Sequence, residues 1–225
     1  MISDKKNNTL LLPQTFASKK LLISVAILVI FHLVGFWGMV FSQDPTYFQN
    51  LTPLNLLLTA FLLFINHQTF NQAFFLFFTG TFLAGFFAEV IGVHTGWLFG
   101  QYSYGEALGF KLWDVPLLIG LNWVILVYCT GILARKWQQN RFGAAFLAAV
   151  LMVLLDFFIE PVAVAYDFWS WKNGAIPAWN FICWFGLAFV LQLTFQQAEF
   201  DKNNRMAGPV FVTMLLFFFA LNVFL

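Results

Sequence analysis

Apolar stretches of membrane-spanning length alternate with short polar segments along almost the whole chain. Seven can be drawn: Leu21–Phe41, Leu51–Ile65, Phe74–Val93, Val115–Leu133, Phe142–Val164, Ile176–Phe195 and Pro209–Leu225. A span needs about 20 residues, with a range near 17–25. Six stretches meet this. Leu51–Ile65 is short and reads as a tilted, partial or re-entrant helix, or as one that extends through Asn66 and His67 if those face protein. The pattern predicts an all-α, polytopic membrane helical bundle of about seven transmembrane helices. It forms one domain over residues 19–225 behind a polar tail over residues 1–18. Leu21–Phe41 is too long for the core of a signal peptide and no small-residue cleavage site follows it, so it reads as a retained first span.

Basic residues set the orientation. With seven spans, Lys5, Lys6, Lys19, Lys20, Arg135, Lys136, Arg141, Lys202 and Arg205 share one side, and only Lys111 and Lys172 fall on the other. A six-span chain lacking the second stretch would set the N-terminal lysines opposite Arg135, Lys136 and Arg141. The bias therefore favours seven spans with a cytoplasmic N-terminus, in a bacterial inner membrane.

Composition supports a membrane protein. Of 225 residues 61% are hydrophobic and 9% charged, against about 25% charged in a soluble domain. The net charge of +1 leaves no electrostatic footprint for nucleic acid. Cys129 and Cys183 lie inside apolar segments and read as free thiols rather than as a disulfide or a metal site. Phe occurs 32 times. Such an excess suits either a lipid-facing surface or a pocket for a long, flat, polarizable ligand, and composition does not separate the two.

Against this background four acids stand out: Glu89 in the third span, Asp114 at the start of the fourth, and Asp156 and Glu160 in the fifth. An acid at mid-membrane costs roughly 2.5–3.5 kcal/mol on insertion scales, so such residues tend to be functional. The seven-span topology puts all four in the outer half. Asp156, for example, lies about 21 Å into a hydrocarbon core of about 30 Å when counted from Phe142. Asp156 and Glu160 are spaced i, i+4 and share a helix face. Two carboxyls side by side in a dry site do not easily both ionise, so one is expected to hold a proton and to be available as a general acid. The alternative is an interhelical hydrogen bond that only locks the bundle. Pro161 removes a helical donor and frees the carbonyl of Phe157.

The outer loops add polar and aromatic groups, including His94, Tyr102 and Tyr104 in loop three and Trp169, Trp171 and Trp179 in loop five. Trp and Tyr at this depth are ordinary interfacial anchors, but their faces also stabilise a passing cation. Asn122 and Asn180, near the outer ends of their spans, would either hold a water or bond a helix backbone. His32, His67 and His94 lack metal-ligand spacing, and no metal or cofactor is expected. No phosphate loop, nucleotide fingerprint or nucleophile elbow occurs, and no clustered acidic motif of the kind that holds a Mg²⁺-bridged diphosphate.

At these residues the chain resembles the CruF-type carotenoid biosynthesis family of membrane carotenoid 1',2'-hydratases. The matching pieces are Phe99-Gly100-Gln101-Tyr102-Ser103-Tyr104, Leu108-Gly109, Val115-Pro116, Asn122-Trp123, Asp156-Phe157-Phe158-Ile159-Glu160-Pro161-Val162-Ala163, Trp169-Ser170-Trp171 and Ile176-Pro177-Ala178-Trp179-Asn180-Phe181. The chain departs from the family at Lys111-Leu112-Trp113-Asp114, where a Gly-containing approach to the Val-Pro pair is expected. The resemblance implies hydration of the terminal C=C of an acyclic (ψ) carotenoid end group to a tertiary alcohol, without a redox cofactor. It implies a polyene substrate, the lipid bilayer as surroundings, and other membrane enzymes of the carotenoid pathway as partners. On this reading Asp156 or Glu160 is the acid, Glu89 and Asn180 help hold water, and Trp169, Trp171, Tyr102, Tyr104, Trp179 and Asn122 line the substrate. A membrane lycopene-type cyclase, which begins with the same protonation, and a non-catalytic carotenoid-binding or transport protein remain as alternatives.

Overall fold

The computed structural model describes residues Gln14–Leu225. The polar tail expected over residues 1–18 lies outside the described residues as far as residue 13. From there the chain forms α1 (Gln14–Phe41), α2 (Pro45–Gln49), α3 (Thr52–Ile65), α4 (Gln72–Thr95), α5 (Leu117–Trp137), α6 (Arg141–Ala165), α7 (Ala178–Gln197) and α8 (Ala207–Val223). Six helical segments are long and apolar enough to cross a membrane. This is the expected helical membrane bundle.

The short span is the last, not the second. α2 and α3 follow each other closely enough to make one 21-residue segment, Pro45–Ile65, whereas α8 has 17 residues. Pro45 at the first turn and the Asp44 side chain, which accepts from Tyr47 N, begin the second span well before its apolar run does. It ends at Asn66, so Asn66 and His67 do not prolong it.

Local signals explain the other boundaries. Asn71 caps α4 by accepting from Phe74 N, and Asn140 caps α6 by accepting from Phe142 N and Gly143 N. Gly96 closes α4 in the left-handed conformation, with φ of 69°, which a glycine adopts without steric cost. Pro161 does not break α6, which continues to Ala165. Asn222 of α8 donates instead to the Phe158 carbonyl at 2.6 Å, bringing a polar side chain to that turn.

α5 is the axis of the bundle. Every residue from Trp123 to Ile132 is buried, and the helix packs against α3, α4, α6, α7 and α8. A helix that is apolar all round belongs in such a position. α6 and α7 form the most extensive pair, and Ala144, Ala145, Ala148 and Ala149 give α6 a thin, fully buried face. Small residues let backbones approach where lipid offers no hydrophobic incentive to associate. α1 and α3, with Leu22, Ile23, Leu33, Leu54 and Phe61 exposed, form the rim.

At the end of the bundle where α4 stops and α5 and α7 begin, the connections form two small antiparallel sheets that the hydropathy pattern did not announce. β1 (Tyr102–Tyr104) pairs with β4 (Trp169–Trp171), and β2 (Lys111–Leu112) pairs with β3 (Val115–Pro116). In the first sheet Tyr102 lies opposite Trp171 and Tyr104 opposite Trp169.

Candidate functional site

The β1–β4 sheet covers three buried carboxyls. Period-two alternation in a strand sends Tyr102 and Tyr104 to one face, and Trp169 and Trp171 likewise, and these four aromatics turn toward the bundle. Ser103 and Ser170 between them are exposed.

Glu89, 3% exposed, accepts three hydrogen bonds. Tyr102 Oη donates to Oε2 at 2.5 Å, Tyr104 Oη to the same oxygen at 2.9 Å, and Trp123 Nε1 to Oε1 at 3.1 Å. The close approach depends on glycine. A Cβ at Gly85 would lie 2.4 Å from the Trp123 ring, and one at Gly92 would lie 2.8 Å from Tyr102 Oη. Burial, reinforced by the Glu89 charge beside them, holds both tyrosine phenols well above their usual range. They therefore remain donors throughout ordinary pH.

Glu160 is also held by three donors. Trp169 Nε1 and Trp171 Nε1 donate to Oε2 at 3.0 and 2.9 Å, and Asn180 Nδ2 donates to Oε1 at 2.7 Å. The same Asn180 amide donates to Asp156 Oδ2 at 3.3 Å, so one amide bridges the two carboxyls of the i, i+4 pair. Asp156 is fully buried, and its Oδ1 has no hydrogen-bond partner.

Two cavities adjoin here. The smaller, about 20 Å³, is lined by Glu89 and Glu160 with Tyr102, Tyr104, Asn122 and Asn180, and by the rings of Trp169, Trp171 and Trp184. That is room for one water molecule, among polar groups able to hold it. The larger, about 270 Å³, runs between α1, α3, α5 and α8 past Met39, Leu108, Met214 and Phe217. Its rim includes Phe31, Val34 and Leu54, which are exposed on the side of the bundle. Ile119, Asn122 and Trp169 line both cavities.

The fold gathers Glu89, Asp156, Glu160, Asn180, Tyr102, Tyr104, Trp169, Trp171 and Asn122 at this place. It does not gather Trp179, which is 51% exposed and donates its Nε1 to the Trp97 carbonyl at 2.8 Å. Asp114, expected to share the acid cluster, is excluded as well. It occupies the tight turn between β2 and β3 at φ of 61°, and its exposed carboxylate lies 3.7 Å from His94 Nε2. The sequence reading missed Trp123 and Trp184, which stack at 4.1 Å between ring centroids; Trp184 lines the small cavity and Trp123 bonds Glu89 behind it. Both sit in apolar runs where an indole looks like packing. The available signal was Trp123's position beside Asn122 near a helix start. Among the described residues no three His, Cys, Asp or Glu side chains are gathered to hold a metal ion.

Fold and site together define an integral membrane protein that shelters a carboxyl cluster under an aromatic cap at one end of its helical bundle. The chain belongs to the carotenoid biosynthesis protein family, which matches residues 51–225 and so contains every residue of the site. It is similar to a bisanhydrobacterioruberin hydratase of Haloarcula japonica, with 32% identity over 106 residues. That match covers 43% of this chain and 36% of the relative, so the chain matches only about a third of the relative's length. No solved structure matches the chain.

Proposed function

We propose that the protein is a carotenoid hydratase, adding water across the terminal C=C of an acyclic (ψ) end group to give a tertiary alcohol. The observation that carries this reading is the water-sized chamber between Glu89 and Glu160, which shares Ile119, Asn122 and Trp169 with an apolar cavity whose rim is exposed on the side of the bundle. A polyene in the larger cavity would place only its end group in the chamber. Family membership supports the carotenoid, and the hydratase relative supports the reaction class.

The division of labour follows from which carboxyls reach the chamber. Glu160 does and Asp156 does not. The two share the Asn180 amide in a dry site, where ionising both would set like charges against each other, so the pair carries one proton. Glu160 transfers that proton to the less substituted alkene carbon, leaving a tertiary cation. The indole faces of Trp169, Trp171 and Trp184 shield the cation. The chamber water attacks the tertiary carbon, and its released proton passes to the Glu89 carboxylate, which Tyr102, Tyr104 and Trp123 hold as an acceptor. Returning that proton to Glu160 restores the site, and the net change is addition of one water. Asp156 acts through Asn180 by keeping the shared proton available.

Expression in a host that accumulates an acyclic carotenoid tests the reading. A product heavier by one water and more polar is expected, and Glu160→Gln should yield none while still inserting in the membrane. A cyclised product of unchanged mass would give the chemistry to a cyclase; unmodified pigment retained on the purified protein would reduce it to a carrier.

A further inference from the structure

The opposite end of the bundle holds a second built feature, unrelated to the acid cluster. Arg135 lies thirteen residues beyond Asn122 on α5, about 20 Å along the axis. There a cavity of about 730 Å³ is lined by Arg135, Lys136, Lys202 and Arg205, with Asp201 as its only acid among the described residues and with the buried Phe200 and Ile132 also in its lining. Among the described residues the ion pairs involve none of these four cations. Asp201 is turned to its own loop, where Oδ1 accepts from Asn203 N at 3.1 Å and Asn203 Nδ2 at 2.7 Å.

Two of the cations are held in place. Lys202 Nζ donates to the Ala198 carbonyl and stands 4.4 Å from the centroid of the Phe200 ring. Arg135 Nη1 donates to Gln196 Oε1 at 3.4 Å, and Gln196 is itself buried. Burial first, and then the positive charges of Arg135 and Arg141, push the Lys202 amine down to about 8 against the opposing pull of Asp201 and Glu199. The cluster is self-repelling, and an anion between its members would relieve it. Arg135 and Lys136 end α5, while Lys202 and Arg205 lie in the link from α7 to α8. The cavity therefore lies at the ends of membrane-length helices, where a span of about 30 Å of hydrocarbon gives way to headgroups, and the apolar Phe200 and Ile132 contribute to its lining.

We propose that this cavity binds a phosphate-bearing anion at the membrane surface, with the headgroup of an anionic phospholipid as its occupant. Guanidinium and ammonium groups recognise phosphate by charge-assisted hydrogen bonds, and basic pockets between helices at this depth suit acidic headgroups. The site is independent of the hydration reaction and would stand if that reading failed.

The test uses the purified full chain in neutral detergent, with native mass spectrometry and thermal unfolding as readouts. Phosphatidylglycerol should be retained over phosphatidylcholine by about tenfold or more, and should raise Tm. The triple variant Arg135→Gln/Lys136→Gln/Arg205→Gln changes exposed side chains and should lose both effects, while Lys172→Gln at the other end should keep them. Stabilisation by inorganic phosphate as large as that by phosphatidylglycerol supports the phosphate site and assigns it to the free ion; stabilisation by the lipid alone assigns it to the headgroup. Equal retention of the two lipids with no response to phosphate, or undiminished retention in the triple variant, overturns the proposal.

Discussion

Tyr102 and Trp171 lie opposite each other on β1 and β4, yet their side chains bond different carboxyls, Tyr102 that of Glu89 and Trp171 that of Glu160. The strand pair thus ties α4 to α6 through two acids. Its register sets the width of the water-sized chamber between them. Four predictions follow from this arrangement and from the basic cavity at the other end.

Replacing the proposed acid should separate chemistry from folding. Glu160→Gln keeps the shape but removes the transferable proton and turns an NH2 group toward either the two indole donors or the Asn180 amide, and a general acid contributes about 10²–10⁴-fold in rate. Turnover should fall by that order with pigment binding retained. Asp156→Asn, outside the chamber, should reduce the rate by less. Comparable turnover of Glu160→Gln and wild type, measured on solubilised enzyme by product mass, would remove Glu160 from the mechanism.

Asn180 should matter to stability as well as to rate. Its amide is 1% exposed and bridges both carboxyls. Asn180→Ala leaves two buried acids without that donor, at a cost of about 1–3 kcal/mol. Asn180→Asp should be worse, since it sets a third acid against the pair. Thermal unfolding in detergent measures both; equal Tm for Asn180→Asp and wild type would contradict the bridge.

The α4–α5 contact should be sensitive to a single methyl group. With 2.4 Å between a Gly85 Cβ and the Trp123 ring, Gly85→Ala must displace the indole that bonds Glu89, and overpacking of this kind costs about 1–3 kcal/mol. Gly80→Ala on the same helix meets nothing within 4 Å and serves as the control. A loss of hydrated product in the first variant and not in the second is expected from pigment analysis.

The basic cavity has a pH signature. Lys202 titrates near 8 in the folded protein against an ordinary value of 10.5. Between those values the unfolded chain binds more protons than the native one, so this group's contribution to stability rises with pH across that window. Below pH 8 the cost of holding the charged amine half-buried, and beside Arg135 and Arg141, is present in full. Lys202→Met should abolish the rise, measured as the difference in Tm between pH 7.5 and pH 10 in neutral detergent. An identical pH response in wild type and variant would refute the strained amine.

Much of the bundle was legible because membrane spans are specified by local composition. Phe74–Val93 and Phe142–Val164 fall within α4 and α6, each of which extends only a few residues further. The second span was underestimated because the apolar run stops at the polar Gln49-Asn50, yet α2 carries the segment back to Pro45. The i, i+4 relation of Asp156 and Glu160 was readable from spacing. The β1–β4 pairing was not, because it joins three-residue strands far apart in the chain, too short to show a period of their own. For the same reason Trp179 could not be distinguished in advance from Trp171, since each is an indole near a span end and only its direction differs, whereas the departure from the family at Lys111-Leu112-Trp113-Asp114 already set Asp114 apart from Glu89.

The sequence by itself determined that this protein lives in a membrane, where its helices run, and that it keeps acids where lipid makes them costly, because hydropathy and helical period are properties of contiguous residues. Tertiary structure alone decided which acids meet, which tryptophans donate to them, and that a one-water chamber adjoins an apolar cavity. Those facts depend on side-chain directions and helix separations set jointly by distant segments, down to the absence of a methyl group at Gly85 and Gly92.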